Sequence, residues 1–292
     1  MGRVTQRRKV HKYVLDGSPG ALEFPVRHRE DVLAVEEPLE IRLGQLSFAV
    51  TMRTPGDDFD LVAGFLVSEG IIWSADQLVS LRFCAGEDEN GMQTFNVVEA
   101  QLRPDAAVPT IGRNVYISSS CGICGTDSVE AVQKSSHYSP AADPLTVDVG
   151  VLASLPVLLR KSQRVLEETG GVHAAGLFRI EDDGDVRLLC LREDVGRHNA
   201  VDKVVGWALR EGLLPLRGTV LQVSGRASFE LVQKAALAGI PLLSAVSAPS
   251  SLAVELAEAS GLTLAGFSRG TSVNVYAGSE RIVLPASASL PS

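Results

Sequence analysis

The sequence predicts an α/β protein, with a layered α/β domain over 114–285 preceded by a smaller α+β domain over 26–113. Three observations carry this reading. Beyond Gly171, apolar strand-length runs alternate with amphipathic helix-length runs. The earlier part holds short alternating strands around a single helix. Three successive late strand runs end in loops of glycine and small hydroxyl residues, as ligand-binding loops at the carboxyl ends of strands do.

Taken in order, residues 1–25 hold Arg3, Arg7, Arg8, Lys9 and Lys12 with little apolar content and are expected to form a disordered basic arm. Arg7-Arg8 does not open an export signal, because Lys12 and Asp16 interrupt the apolar stretch that must follow. Leu39, Ile41 and Leu43 alternate, and Gly44-Gln45 turns the chain into a strand over 46–52. The segment 58–70 reads as a helix burying Leu61, Val62, Phe65 and Leu66 and closing at Gly70. Strands over 79–84 and 94–98 flank a polar turn at 86–91.

Later, a helix over 151–168 stops at Gly170-Gly171, and strands over 174–180 and 186–191 flank the hairpin signal Asp183-Gly184. A helix over 199–211 follows. Then strand 219–223, helix 228–238, strand 241–246, helix 251–260 and strand 262–267 alternate, and 286–292 is a loose tail.

The most informative local feature is Cys121-Gly122-Ile123-Cys124-Gly125, set among serines and glycines ahead of a helix-start signal at Asp127 and Glu130. Small residues give access, and a helix N-terminus favours a thiolate. Lowering a thiol pKa from about 8.5 to about 6.5 needs roughly 2.7 kcal/mol, whereas an exposed helix end supplies roughly 0.3 to 1. Backbone N–H groups of the loop, Arg113 or a later arginine must supply the rest.

A closed zinc site requires a second ligand pair, and the remaining cysteines, Cys84 and Cys190, stand alone in apolar strand-like runs. A four-cysteine iron–sulfur cluster fails on the same count. A thioredoxin-type site places its pair early in a small βαβ domain, and here it lies mid-chain. Four cysteines in 292 residues make no disulfide framework, so a reducing cytoplasm is the expected compartment.

Three loops suit an anionic nucleotide: Ser224-Gly225-Arg226, Ser247-Ala248-Pro249-Ser250-Ser251, and Phe267-Ser268-Arg269-Gly270-Thr271-Ser272. The run 193–203 packs polar residues between a strand and a helix. There Asp202, four residues after His198, is placed to orient its imidazole, while Lys203 reads equally well as a solvated helix lysine. His173 faces the same cleft or simply begins a strand. A net charge of −8 argues against general nucleic-acid binding, and no apolar run approaches a membrane span.

Several runs together resemble the FdhD/NarQ family over about residues 25–280: Thr54-Pro55-Gly56-Asp57-Asp58, Gly64-Phe65-Leu66-Val67-Ser68-Glu69-Gly70, the cysteine pair, Gly170-Gly171-Val172-His173-Ala174-Ala175, 194–203, Ser224-Gly225-Arg226 and 244–251. Members are formate dehydrogenase accessory proteins, or sulfur carriers. The resemblance implies a cytidine-deaminase-like α/β domain with an added smaller domain, and a homodimer.

It also implies a sulfurtransferase that receives sulfur from a cysteine desulfurase and delivers it to the molybdenum bis(molybdopterin guanine dinucleotide) cofactor of the formate dehydrogenase apoprotein. By position, Cys121 matches the persulfide carrier and Cys124 its partner. Phe267, Ser268, Arg269, Gly270, Thr271 and Ser272 match the cofactor-binding segment, which departs from the family in lacking a further basic residue at Thr271 or Ser272. Ser224, Gly225, Arg226, Arg197, His198 and His173 complete the expected pocket, with no protein-ligated metal. The alternative is a chaperone that binds and protects the cofactor without carrying sulfur. Zinc deamination requires HxE followed by CxxC, whereas here CxxC precedes His173 and Ala175 stands where the glutamate belongs.

Overall fold

The alternation of Leu39 and Ile41 with more exposed neighbours makes β3 (Glu37–Leu43) a half-buried strand, and both apolar side chains are fully buried. Gly44 takes the left-handed conformation that closes the turn into β4 (Leu46–Arg53). A computed structural model describes residues 3–14, 26–84, 86, 94–106, 136–181 and 184–284. Beside β3 runs β6 (Val97–Leu102) in parallel, and β5 (Leu78–Phe83) pairs antiparallel with β6, giving the order β4-β3-β6-β5. Helix α1 (Asp58–Ser68) packs on this sheet, and every residue except Phe59 is buried.

The second sheet has six strands in the order β13-β12-β11-β10-β8-β9. They are β8 (His173–Ile180), β9 (Val186–Asp194), β10 (Thr219–Val223), β11 (Leu242–Ala245), β12 (Thr263–Gly266) and β13 (Asn274–Ala277). The three central strands β10, β11 and β12 are parallel, and β8, β9 and β13 add antiparallel pairings at the flanks.

Period-two alternation sorts the side chains of the central strands. Leu221, Val223, Leu243, Ala245 and Leu264 face a core shared with α1, α4 (Arg197–Arg210), α5 (Phe229–Leu237) and α6 (Ser251–Ser260). Val220, Leu242 and Ala265 face α2 (Val149–Lys161) through Leu152, Leu155 and Leu159. Helices therefore cover both faces, as the alternating pattern predicts, and the first core runs on without a break into the β3–β6 sheet.

Some expectations are corrected. Part of the basic arm is ordered: β1 (Thr5–Tyr13) pairs along its whole length with β2 (Val26–Ala34), because alternating backbone pairing needs no apolar side chains. The helix expected over 151–168 is two, with α2 ending at Lys161 and α3 (Arg164–Thr169) beginning afresh. The break has a cause across the fold. The Glu193 carboxylate accepts the free N–H groups of Val165 and Leu166, both at 2.9 Å, and so caps a new N-terminus. Helix α4 starts two residues earlier than its periodicity indicated. The short pair β7 (Val147–Asp148) and β14 (Ile282–Val283) carried no readable pattern. The cysteine pair, the helix signal at Asp127 and the tail 286–292 lie outside the described residues.

α1 and α4 cross with their backbones in contact. A Cβ on Gly64 would lie 2.6 Å from the Asp202 carbonyl carbon and 2.8 Å from the Gly206 nitrogen, and one on Gly206 would meet the Asp60 carbonyl. Backbone atoms cannot rotate away as a side chain can. Gly64→Ala and Gly206→Ala are each expected to lose on the order of 3 kcal/mol or more in urea unfolding. Gly212→Ala, at φ 69 in open space, should cost only about 1 kcal/mol. Equal losses for all three would show that the crossing is not tight.

Candidate functional site

All three predicted binding loops come together at one end of the six-stranded sheet, at the carboxyl ends of β10, β11 and β12. Backbone bonds join them in series: Ser247 donates to the Gly225 carbonyl at 3.3 Å, Phe267 to the Ser247 carbonyl at 3.3 Å, and Ser250 to the Ala227 carbonyl at 3.0 Å. The N-termini of α4, α5 and α6 open on the same rim. Each brings unsatisfied N–H groups and partial positive charge, so the rim suits an anion.

His173, Gly225 and Arg197 are neighbours at this rim. A Cβ on Gly225 would lie 3.5 Å from His173 Nδ1 and 3.7 Å from Arg197 Cδ, so both side chains lie against the loop at van der Waals distance. The Ser224 hydroxyl accepts the Ala174 N–H at 2.9 Å and fixes the loop against β8. Burial pushes the His173 imidazole below its ordinary pKa, helped by the positive Arg197 and by His198, so it is neutral at pH 7. Arg197 Nε is inaccessible and has no partner among the described residues. Arg226 is exposed.

Asp202 does not orient His198, contrary to the spacing argument. The His198 Nε2 atom lies 2.7 Å from Glu230 Oε2 and 3.2 Å from the Ser228 hydroxyl, both at the start of α5. Asp202 instead receives Lys234 at 2.8 Å on both oxygens and the Ser68 hydroxyl at 2.6 Å. An i, i+4 spacing places two residues on one helix face, but the tertiary neighbour decided which contact forms. The bond from His198 holds the Glu230 carboxyl below its usual range. Lys203 is not a solvated lysine: only 1% exposed, its ammonium sits 2.7 Å from Asp194 and donates to the Thr54 carbonyl at 2.9 Å.

The 267–272 loop is fastened through a proline. Pro156 inside α2 has no N–H to give the Leu152 carbonyl, and the buried Ser268 hydroxyl lies 3.4 Å from that oxygen. The Gly270 N–H donates to the next carbonyl, Ala153, at 2.9 Å. Phe267 and Gly270 both take left-handed conformations, and Arg269 lies over the Phe267 ring at 5.5 Å. Arg269, Gly270, Thr271 and Ser272 are exposed, whereas Ser268 is turned inward.

The sequence profile of the FdhD/NarQ family matches residues 34–283. The chain belongs to the FdhD/NarQ family. It is similar to a sulfur carrier protein FdhD from Streptomyces avermitilis, 56% identical over 99% of both chains, and to one from Streptomyces coelicolor, 55% identical over 98% of both. A crystal structure assigned as a formate dehydrogenase accessory protein from Desulfotalea psychrophila superimposes with a TM-score of 0.71 at 26% identity, over 96% of this chain and all of that one.

Several of the FdhD/NarQ runs form the frame behind the rim. Asp194 Oδ2 accepts the Thr54 N–H at 3.1 Å, and the Thr54 hydroxyl accepts the Val195 N–H at 3.1 Å. Asn199 donates to the Met52 carbonyl at 2.7 Å and to Asp194 at 3.1 Å. The corner that presents Arg197 and His198 is thus bolted to the first sheet by Thr54, Asp194, Asn199 and Lys203. Sequence spacing gave no sign of these partners, which lie about 140 residues apart.

Cys190 is 5% exposed, and burial raises its thiol pKa to about 12, so it packs as an inert hydrophobe as expected. Cys84 is partly buried. No helix among the described residues is long and apolar enough to cross a membrane, and no metal-ligating cluster occurs among them.

Because folding depresses the Glu230 pKa, the carboxylate contributes stability above the unfolded value of about 4.3 and loses it as pH falls through the folded value. Glu230→Gln should therefore cost less than about 1 kcal/mol at pH 7, with the difference from wild type fading below about pH 4. Urea titrations at several pH values check this. Lys203→Met strands Asp194 without its cation in the interior and is expected to cost about 3 kcal/mol or more by the same assay.

Proposed function

We propose that the chain is a sulfur carrier and sulfurtransferase serving formate dehydrogenase, with Cys121 as the persulfide carrier. The observation that carries this reading is the rim of an FdhD/NarQ chain. There three helix N-termini, Arg197, His198 and a neutral His173 meet loops of small residues. Such a rim suits the diphosphate of a guanine dinucleotide, and the cargo of the proposed reaction is the molybdenum cofactor carrying two of them. The relatives are themselves sulfur carrier proteins, which supports the carrier role.

In the first step the Cys121 thiolate attacks the terminal sulfur of a persulfide on a cysteine desulfurase. A bond to that sulfur forms, the donor's S–S bond breaks, and the donor cysteine leaves as thiolate. In the second, sulfur passes to the bound cofactor. Attack of the Cys124 thiolate on Cys121 Sγ would expel the terminal sulfur as hydrosulfide and leave a Cys121–Cys124 disulfide, so atoms and electrons balance within the chain. A reducing compartment then restores the dithiol.

Arg197, Arg226 and Arg269 are the cations proposed to hold the cargo's phosphates, with Ser224, Gly225, Gly270, Thr271 and Ser272 admitting it closely. Ser268 acts from behind, by holding its loop on α2. The finer fold assignment, a cytidine-deaminase-like arrangement of the six-stranded sheet, belongs to the same proposal.

Incubation with a cysteine desulfurase and cysteine should add one reducible sulfur, 32 Da, at Cys121 by peptide mass mapping. Cys121→Ala should abolish that gain while leaving GDP affinity unchanged. Wild type that stays unloaded while another acceptor loads would remove the carrier role. Arg197→Ala should weaken GDP binding about tenfold or more by calorimetry, the loss of one charge-assisted contact, and unchanged affinity would take Arg197 out of the site.

A further inference from the structure

The β1–β2 ribbon lies outside both larger sheets, and no third strand pairs with it among the described residues. A two-stranded ribbon is marginal by itself. Its hydrogen-bond phase is set at its base, where the Val35 N–H donates to the Val4 carbonyl at 2.9 Å. Counting in twos from that pair along the register leaves His11 and His28 directly opposite each other at a position without backbone hydrogen bonds. Side chains approach most closely at such positions, where the Cα atoms are about 4.5 Å apart. The two imidazole rings accordingly touch, with centroids 4.6 Å apart and planes at 89°.

Both rings are exposed on one face of the ribbon. Lys9 and Glu30 stand opposite each other on one side of them, and Tyr13 and Val26 on the other. Four of the six Lys and Arg of the two strands, Arg8, Lys12, Arg27 and Arg29, project from the far face. The imidazole face is therefore the less cationic one. It also carries a carboxylate, Glu30, whose exposed contact with Arg7 at 3.7 Å is weak.

Imidazole nitrogen suits borderline divalent ions such as Zn²⁺, Ni²⁺ and Cu²⁺. At a metal–nitrogen distance of about 2.0–2.1 Å, each ring centroid lies about 3.2 Å from the ion, so two rings on one ion have centroids about 4.5–5.2 Å apart. The pair already has that separation. We infer that His11 and His28 form a cross-strand site for one such ion, which ties β1 to β2. No group of three or more ligating side chains occurs among the described residues, so water completes the shell and Glu30 contributes its charge at longer range. Hard ions such as Mg²⁺ and Ca²⁺ require oxygen ligands and are not held by two imidazoles. The ion binds the paired strands and not the separated ones, so it stabilises the ribbon by mass action. Neither histidine belongs to the rim, and the inference does not depend on the sulfur-carrier reading.

The test uses the full chain without a histidine tag and with its accessible thiols alkylated, because thiolates take the same ions. Calorimetry with Zn²⁺ and with Ni²⁺ should show uptake that weakens about tenfold or more in His11→Ala and in His28→Ala. It should be unchanged in His137→Ala, which removes an exposed histidine outside the ribbon. A second reading needs no variant. In wild type, amide hydrogen exchange over 5–13 and 26–34 should slow about tenfold when Zn²⁺ is at about ten times its dissociation constant, and Mg²⁺ should leave it unchanged. Absence of uptake, or uptake that survives undiminished when both histidines are replaced, would overturn the proposal. So would saturation with Zn²⁺ that leaves exchange in the ribbon as it was, or equal slowing by Mg²⁺.

Discussion

The close approach of α1 to α4 at Gly64 and Gly206 is the constraint on which the rest of the structure depends. With no Cβ at either position the two backbones touch, and the helix following the first sheet's hairpin becomes part of the second sheet's core. α1 is apolar nearly all round for this reason, since it has a sheet on one side and α4 on the other. The β3–β6 sheet and the six-stranded sheet therefore share one interior. The Gly64–Gly70 run is accounted for by packing: glycine at the crossing, Ser68 bonded to Asp202, and Gly70 in the left-handed turn that ends α1.

Around that crossing lie ion pairs taken out of water. Lys203 with Asp194 and Lys234 with Asp202 are almost fully buried, and Asp60 receives both Arg192 and Arg210. Buried pairs add little net stability, because the cost of desolvation offsets most of the attraction. Their geometry does more for specificity. An ammonium shared between Asp194 and the Thr54 carbonyl can be satisfied in one relative placement of the two sheets, and that placement sets the corner carrying Arg197 and His198. The rim is consequently built on helices and strands, with the neutral His173 and the His198–Glu230 pair held in place by them. On the opposite face Pro156 performs a related task, since the carbonyl it leaves free becomes the attachment for the Ser268 loop.

Much of this was legible in the sequence. The strand over 219–223 and the helix over 251–260 have the bounds that the sequence predicts, because strong periodicity and clear caps report on local interactions alone. The positions of the three rim loops follow for the same reason: small residues after apolar strands mark the carboxyl ends of a parallel sheet. The pattern over 151–168 runs on through the helix break because the group that divides it, Glu193, comes from a strand 28 residues away. Spacing points Asp202 at His198, yet Glu230 holds the imidazole and Lys234 holds Asp202. Lys203 gave no sign of burial, since a helix lysine looks the same in sequence whether it faces water or a carboxylate.

The sequence by itself determined the alternation of elements, the position of the loops and membership of a family recognisable from ordered motifs. These follow from side-chain period and backbone preference, which act over a few residues. Only the tertiary structure decided which charged groups meet, which serine turns inward and which strands form a ribbon outside the core. Those outcomes depend on contacts between separate elements, 32 positions apart for Asp202 with Lys234 and 116 for Leu152 with Ser268, and burial makes an unpaired charge too costly to leave alone.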